Sequence, residues 1–132
     1  MIRREYNRLT AQMPQPLLQE IRLTCPGEVN LPGLQIRCEP AQALVNTATS
    51  FTVCPKGALY LRSRRTGDTI RLPGGSKSLK KLMIDRKIPA ADRDSIPVLC
   101  DDGGILGVWS IGANQDRVAK QLPGVTISFV PV

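Results

Sequence analysis

Proline and glycine punctuate this chain so closely that a long helical bundle has no room to form. Eleven prolines and eleven glycines are spread over 132 residues. Proline fixes φ and lacks an N–H, while glycine permits backbone conformations closed to other residues, so this spacing yields short elements joined by turns. Pro26-Gly27, Pro32-Gly33 and Pro55-Lys56-Gly57 each read as a turn. Between them, period-2 or apolar stretches at 18–24, 34–38 and 51–54 read as strands.

The length suits a single domain over 1–132, since a chain of this size buries enough surface for one core. No internal repeat or linker divides it. With no run of about 18 apolar residues, nothing is expected to span a membrane, and Met1 to Tyr6 is not followed by the apolar stretch of a signal peptide, so a cytoplasmic protein is expected. Histidine is absent, which excludes Ser-His-Asp and Cys-His catalysis and any imidazole base within the chain. Cys25, Cys38, Cys54 and Cys100 form no CxxC pair, and a zinc site without histidine would need all four. Small, reduced, buried thiols are therefore expected, with no metal, no cofactor and no catalytic residue in this chain.

The charge is concentrated. The net charge is +7, and Arg62 to Arg93 carries ten basic residues against three acids, which is the whole excess; the remainder holds eight of each. A basic segment of this kind is the footprint of a surface that meets a polyanion, because each neutralised phosphate releases condensed counterions. The alternative is a solvated basic face with no partner. Within the segment, residues 59–65 alternate, placing Tyr60, Arg62 and Arg64 on one side of a predicted strand. Thr66-Gly67-Asp68 reads as a turn and 69–72 as a short strand.

A helix is predicted over 77–87, with Ser76 as N-cap. Leu79, Leu82 and Met83 make its apolar stripe, while Lys77, Lys80, Lys81, Lys87 and also Ile84 fall on the other side. The helix must end near Lys87, because Pro89 disfavours helical geometry at Ile88. Gly74-Gly75-Ser76-Lys77-Ser78 suggests a phosphate-binding loop, yet the first glycine of G-x-x-x-x-G-K-[ST] is missing and serine precedes the lysine. A single RNA phosphate held at the helix start by Gly74, Gly75 and Ser76 is the expectation instead. Strands follow at 97–100 and 105–111, around Asp101-Asp102-Gly103-Gly104, and at 125–130.

Leu61-Arg62-Ser63-Arg64, Gly67-Asp68, the run from Gly74 through Leu79-Lys80-Lys81-Leu82-Met83-Ile84-Asp85-Arg86-Lys87-Ile88-Pro89, then Arg93-Asp94 and Ile96-Pro97-Val98-Leu99, form an ordered string. That string resembles the carboxyl-terminal domain of tRNA(Ile)-lysidine synthetases, and Gly107-Val108-Trp109-Ser110-Ile111-Gly112 continues the resemblance. It covers about half of the chain strongly; before about Leu59 only the general character matches. The resemblance implies a parent ligase that uses ATP to adenylate the wobble cytidine of an isoleucine tRNA and lets lysine displace the adenylate. It further implies that a PP-loop domain carrying Ser-Gly-Gly-x-Asp-Ser does this chemistry, while the terminal domain holds tRNA, near its acceptor end. No such string occurs here, so the catalytic domain is absent from this chain and ATP belongs to that domain. The fold implied is the one shared with a domain of the phenylalanyl-tRNA synthetase β-subunit.

The expected architecture is α+β: a small layered domain with a β-sandwich-like core and one principal basic helix. Arg62, Arg64, Lys77, Lys80, Lys81, Lys87 and Arg93 are the candidates for RNA contact, because such side chains cannot be buried unpaired. Gly67-Asp68 reads as a turn with a local hydrogen bond rather than a ligand pair, and Trp109 as core rather than a stacking platform. No aromatic residue interleaves with the cations between Arg62 and Arg93, which favours recognition of RNA shape and phosphates over single-strand reading. The rival reading is a basic interaction module that docks on an acidic partner or on the enzyme's own catalytic domain.

Overall fold

The computed structural model describes residues 20–132. In chain order the elements are β1 (Ile21–Leu23), β2 (Gly27–Leu31), β3 (Leu34–Pro40), β4 (Ser50–Val53), β5 (Leu59–Arg62), β6 (Thr69–Leu72), β7 (Gly75–Ser78), α1 (Leu79–Asp85), α2 (Ala90–Arg93), β8 (Val98–Asp101), β9 (Gly104–Val108), β10 (Gly112–Ala113) and β11 (Val125–Pro131). They build a five-stranded sheet ordered β10-β9-β8-β5-β1, a four-stranded sheet ordered β2-β3-β11-β4, and the hairpin β6-β7. Every pairing is antiparallel.

Alternation along the strands assigns each side chain to a layer. Leu61, Leu99 and Leu106 of the larger sheet meet Ile36, Phe51, Ile127 and Phe129 of the smaller one, forming the sandwich core. Their neighbours Val98, Cys100 and Val108 point to the opposite face, where Ile70, Leu79, Leu82 and Met83 cover them. The larger sheet is thus buried on both sides, and the molecule has three layers: small sheet, large sheet, then α1 with the β6-β7 hairpin. This is the α+β layered arrangement expected from the sequence.

Turns enforce the connections. Pro32-Gly33 joins Leu31 to its partner Leu34, with Gly33 at φ +76°, and Asp102-Gly103 joins Asp101 to Gly104. Strand β11, predicted at 125–130, pairs with β3 on one side and β4 on the other and closes the small sheet. The predicted strand at 18–24 is found at Ile21–Leu23; residues 18 and 19, like Met1 to Tyr6, lie outside the described residues.

Four elements escape the sequence reading: β2, β7, the two-residue β10 and the four-residue α2. The helix is also shorter than predicted. It starts at Leu79, and its N-cap is Ser78, whose Oγ accepts the Lys81 N–H at 3.1 Å. Ser76 and Lys77 instead belong to β7, opposite Arg71 and Ile70. Both serines are competent caps; the hairpin decides, because Ile70 must be buried and its partner strand therefore extends through Ser78. Among the described residues no helix is long and apolar enough to cross a membrane.

Candidate nucleic-acid interface

The third layer carries the basic segment, and Arg62 and Asp68 organise it. Arg62 closes β5, where its register partner is Val98, and is only 7% exposed. Its two Nη atoms donate to the Asp68 carboxylate at 2.8 and 3.1 Å, and Nη1 donates to the Ser63 carbonyl at 2.9 Å. Asp68 accepts the Arg65 backbone N–H at 2.6 Å as well, and its own carbonyl accepts the N–H of Leu79 at 3.0 Å. One residue therefore ties the strand end and the 63–68 loop, through its carboxylate, to the helix start, through its main-chain carbonyl. The Asp68 hydrogen bond raises the Arg62 guanidinium above its ordinary pKa against the effect of burial. Burial pushes Asp68 up, but Arg62 and the Arg65 N–H outweigh it and hold the carboxyl below its usual range.

These contacts correct the sequence reading at Arg62. The predicted basic strand face of Tyr60, Arg62 and Arg64 is the face that α1 covers, since Tyr60 packs against the helix-side core. Alternation separates the two faces of a sheet without revealing that both are covered. The strand also ends at Arg62 rather than at residue 65. Gly67-Asp68 is a turn with a local hydrogen bond, as expected, and carries the buried ion pair in addition.

The remaining candidates lie nearer the surface. Arg64 is half-buried, with Nε 3.4 Å from Asp94 Oδ1. It lines a polar pocket of about 320 Å³ together with Arg65, Thr66, Ser78 and Lys80, and with the carboxylates Asp68 and Asp94. Arg65, Thr66 and Ser78 were not singled out from sequence; they enter because the Asp68 turn folds the loop against the helix start. Lys77 on β7, Lys80 and Lys81 in the first turn of α1, and Lys87 just past its end are all exposed. Among the described residues these four lysines take part in no ion pair, unlike Arg37, Arg62, Arg64, Arg65, Arg71 and Arg117. Arg93 is half-buried and donates from Nε to the Ile88 carbonyl at 2.9 Å.

Gly74, Gly75 and Ser76 do not form the expected phosphate site at a helix start. They belong to the turn and first residues of the β6-β7 hairpin. At the true start of α1, the Leu79 N–H is taken by Asp68 O and the Lys81 N–H by Ser78 Oγ. Cys38 and Cys100 are buried, as expected, and burial raises both thiols above their ordinary pKa, whereas Cys25 and Cys54 are exposed. No three cysteine, aspartate or glutamate side chains of the described residues gather as a cation site. Trp109 is half-buried and touches both core clusters, and its indole N–H, itself buried, has no acceptor.

Known proteins share this arrangement. Residues 59–129 match the family model described as the TilS substrate C-terminal domain. The tRNA(Ile)-lysidine synthase of Clostridioides difficile (strain 630) is 51% identical over 61 residues, covering 45% of this chain and 13% of that protein. The one from Shouchella clausii (strain KSM-K16) is 38% identical over 101 residues, covering 70% of this chain and 22% of that protein. The chain thus spans less than a quarter of the length of these relatives. A crystal structure of a TILS C-terminal domain superposes with a TM-score of 0.75 and 26% identity, covering 86% of this chain and 97% of that one. Shared sequence over the basic segment and shared topology over nearly the whole described fold agree: the chain belongs to the family of TilS C-terminal domains.

Proposed function

We propose that this domain holds tRNA for a lysidine-forming ligase, near the acceptor end of the tRNA, through phosphate contacts and RNA shape rather than base reading. The observation that carries this reading is the set of four ion-pair-free lysines, Lys77, Lys80, Lys81 and Lys87, along the β7-α1 unit. Exposed cations without partners give up little on meeting phosphate, and each one that does so releases counterions. Arg64 and Arg93 flank this line, while Arg62 acts from below as a positioning residue that fixes the 63–68 loop through Asp68. The A-form grooves of a tRNA stem hide most base edges from side chains, which suits a surface of flexible cations. ATP, adenylation and lysine transfer belong in this reading to a separate catalytic domain in the cytoplasm, and this chain's residues only bind and orient.

Binding of tRNA to the purified chain, measured at several salt concentrations, tests the proposal. Lys80→Ala/Lys81→Ala should weaken binding to many tRNAs alike and lower the slope of log affinity against log salt by roughly one to two units. Arg22→Ala/Arg37→Ala, outside the basic segment, should leave both nearly unchanged. The opposite pattern would move the interface elsewhere. Displacement of bound tRNA by an acidic protein of similar charge as readily as by tRNA itself would favour the protein-interaction reading.

A further inference from the structure

A second cavity lies at the other end of α1. It is a groove of about 480 Å³ whose walls include Leu31, Leu34, Ile88, Ile96, Pro97 and Trp109. The volume is that of an ordinary small-ligand site. The polar pocket of Arg64 and Lys80 adjoins the first residues of α1, whereas Ile88 lies just past its last. Seven helical residues, about 10 Å of rise, separate the two, and Lys80, Lys81 and Lys87 mark the path between them.

Two features select the occupant. The rim is cationic: Arg86 donates from Nη1 to the carbonyl of Ser110, a lining residue, Arg93 donates to the carbonyl of Ile88, and Lys87 adjoins Ile88. The lining itself is apolar except for Asp92, Ser95 and Ser110 together with backbone, and the Asp92 carboxylate would repel a phosphate from the interior. A flat heterocycle fits the inside, and phosphates fit the rim.

We propose that the groove takes an unpaired nucleobase of the bound RNA, seated against Trp109, while Arg86, Lys87 and Arg93 meet the adjoining phosphates. This rests on the RNA-binding reading above and adds to it a site for a single-stranded end beside the duplex surface. Trp109 then serves both core and ligand, which its half-buried position between the two clusters and the groove allows.

Trp109 is the chain's one tryptophan, so its fluorescence reports on the groove and the core beside it. An RNA hairpin with four unpaired 3′ nucleotides should quench or shift the emission, and the same hairpin with a blunt end should not. The overhang should tighten binding by about 5- to 150-fold, the range of one stacked base. Trp109→Phe, which keeps an aromatic ring but presents a smaller face, should reduce that preference and leave blunt-end binding intact. Ser95→Phe, which fills the groove from its wall, should abolish the preference with the same blunt-end affinity. Equal binding of both hairpins, or emission indifferent to the overhang, would overturn the groove assignment and leave the duplex surface standing. Absence of binding to either hairpin would overturn both. An emission change produced by the catalytic part of a family ligase, and not by the overhang, would assign the groove to a domain contact instead.

Discussion

Gly107 illustrates what a single position can demand. A Cβ built there would lie 2.4 Å from Phe51 Cζ and 2.9 Å from two further ring carbons, so the ring closes over the backbone of β9 at the centre of the sandwich. Phe51 is fully buried and packs against Phe129 with ring centroids 5.9 Å apart, which leaves it no direction in which to retreat. Gly107→Ala should therefore destabilise the domain by about 1–3 kcal/mol, the usual cost of overpacking a close-packed core, and Gly107→Val by more. Thermal melts of the two variants decide this; unchanged midpoints would mean that the ring moves freely. The neighbouring irregularity in the β8-β9 register, between Ile105 and Gly107, lies at the same place. The sequence displayed this glycine only as part of an ordered string, because the residue that needs it small is 56 positions away in the chain.

At the scale of elements, strands carrying an apolar or alternating run of strand-forming residues were legible from sequence, and those without such a run were not. β3, β4, β6, β8 and β11 lie where alternation and apolar runs placed them, to within two residues at either end. β2 was hidden because Gly27-Glu28-Val29-Asn30-Leu31 carries few strand formers and forms by pairing with β3. The helix start was misplaced by two residues because two serines compete, and the exposed strand β7 has no apolar period of its own. The stripe itself was legible: Leu79, Leu82 and Met83 are buried, and Ile84, which falls on the lysine side, is 46% exposed. The end of α1 carries a testable strain. Lys87 has φ +59°, while the Lys87 N–H bonds Ile84 O and the Ile88 N–H bonds Met83 O, both at 2.9–3.0 Å, the paired bonds of a Schellman termination. Glycine is the residue such a position favours, since a left-handed backbone crowds any Cβ. Lys87→Gly should raise stability by about 0.5–1 kcal/mol while removing one of the proposed phosphate contacts. Denaturant unfolding and the salt slope of tRNA binding should move in opposite senses; a loss of stability would show that the lysine side chain itself supports the helix end.

Across the whole molecule, two aspartates bind the layers and loops together, and the carboxyls of both are held below their usual range. Asp68 joins β5 to the 63–68 loop through its carboxylate and to the start of α1 through its main-chain carbonyl. Asp101, whose side chain is fully buried at the end of β8, accepts the Lys56 N–H and the Gly103 N–H at 2.7 Å each and an Arg117 Nη2 at 2.5 Å, so it fastens the segment before β5, the β8-β9 turn and the stretch leading to β11. Burial alone would push the Asp101 carboxyl up, but Arg117 and the two backbone donors outweigh it and lower it. Beyond the local hydrogen bond of the Gly67-Asp68 turn, these ion pairs could not be read from sequence, because Arg62 and Arg117 look like any other cations until the fold shows which face is covered. The pH dependence follows from the sign of these shifts. A carboxyl whose folded pKa lies below its unfolded value contributes stability that is complete above the unfolded value, about 3.9 for aspartate, and is lost as pH falls through the folded one. With no histidine in the chain, no imidazole titrates between neutral pH and that window. The melting temperature should therefore stay nearly level from neutral pH down to about pH 5 and fall steeply below about pH 4. Asp101→Asn should lower it throughout, since Arg117 would be left buried without its counter-charge, an imbalance costing about 3–5 kcal/mol, and should also flatten the acid limb. A variant that melts lower yet keeps the full acid slope would assign that slope to other carboxylates, with Asp68→Asn as the next to measure.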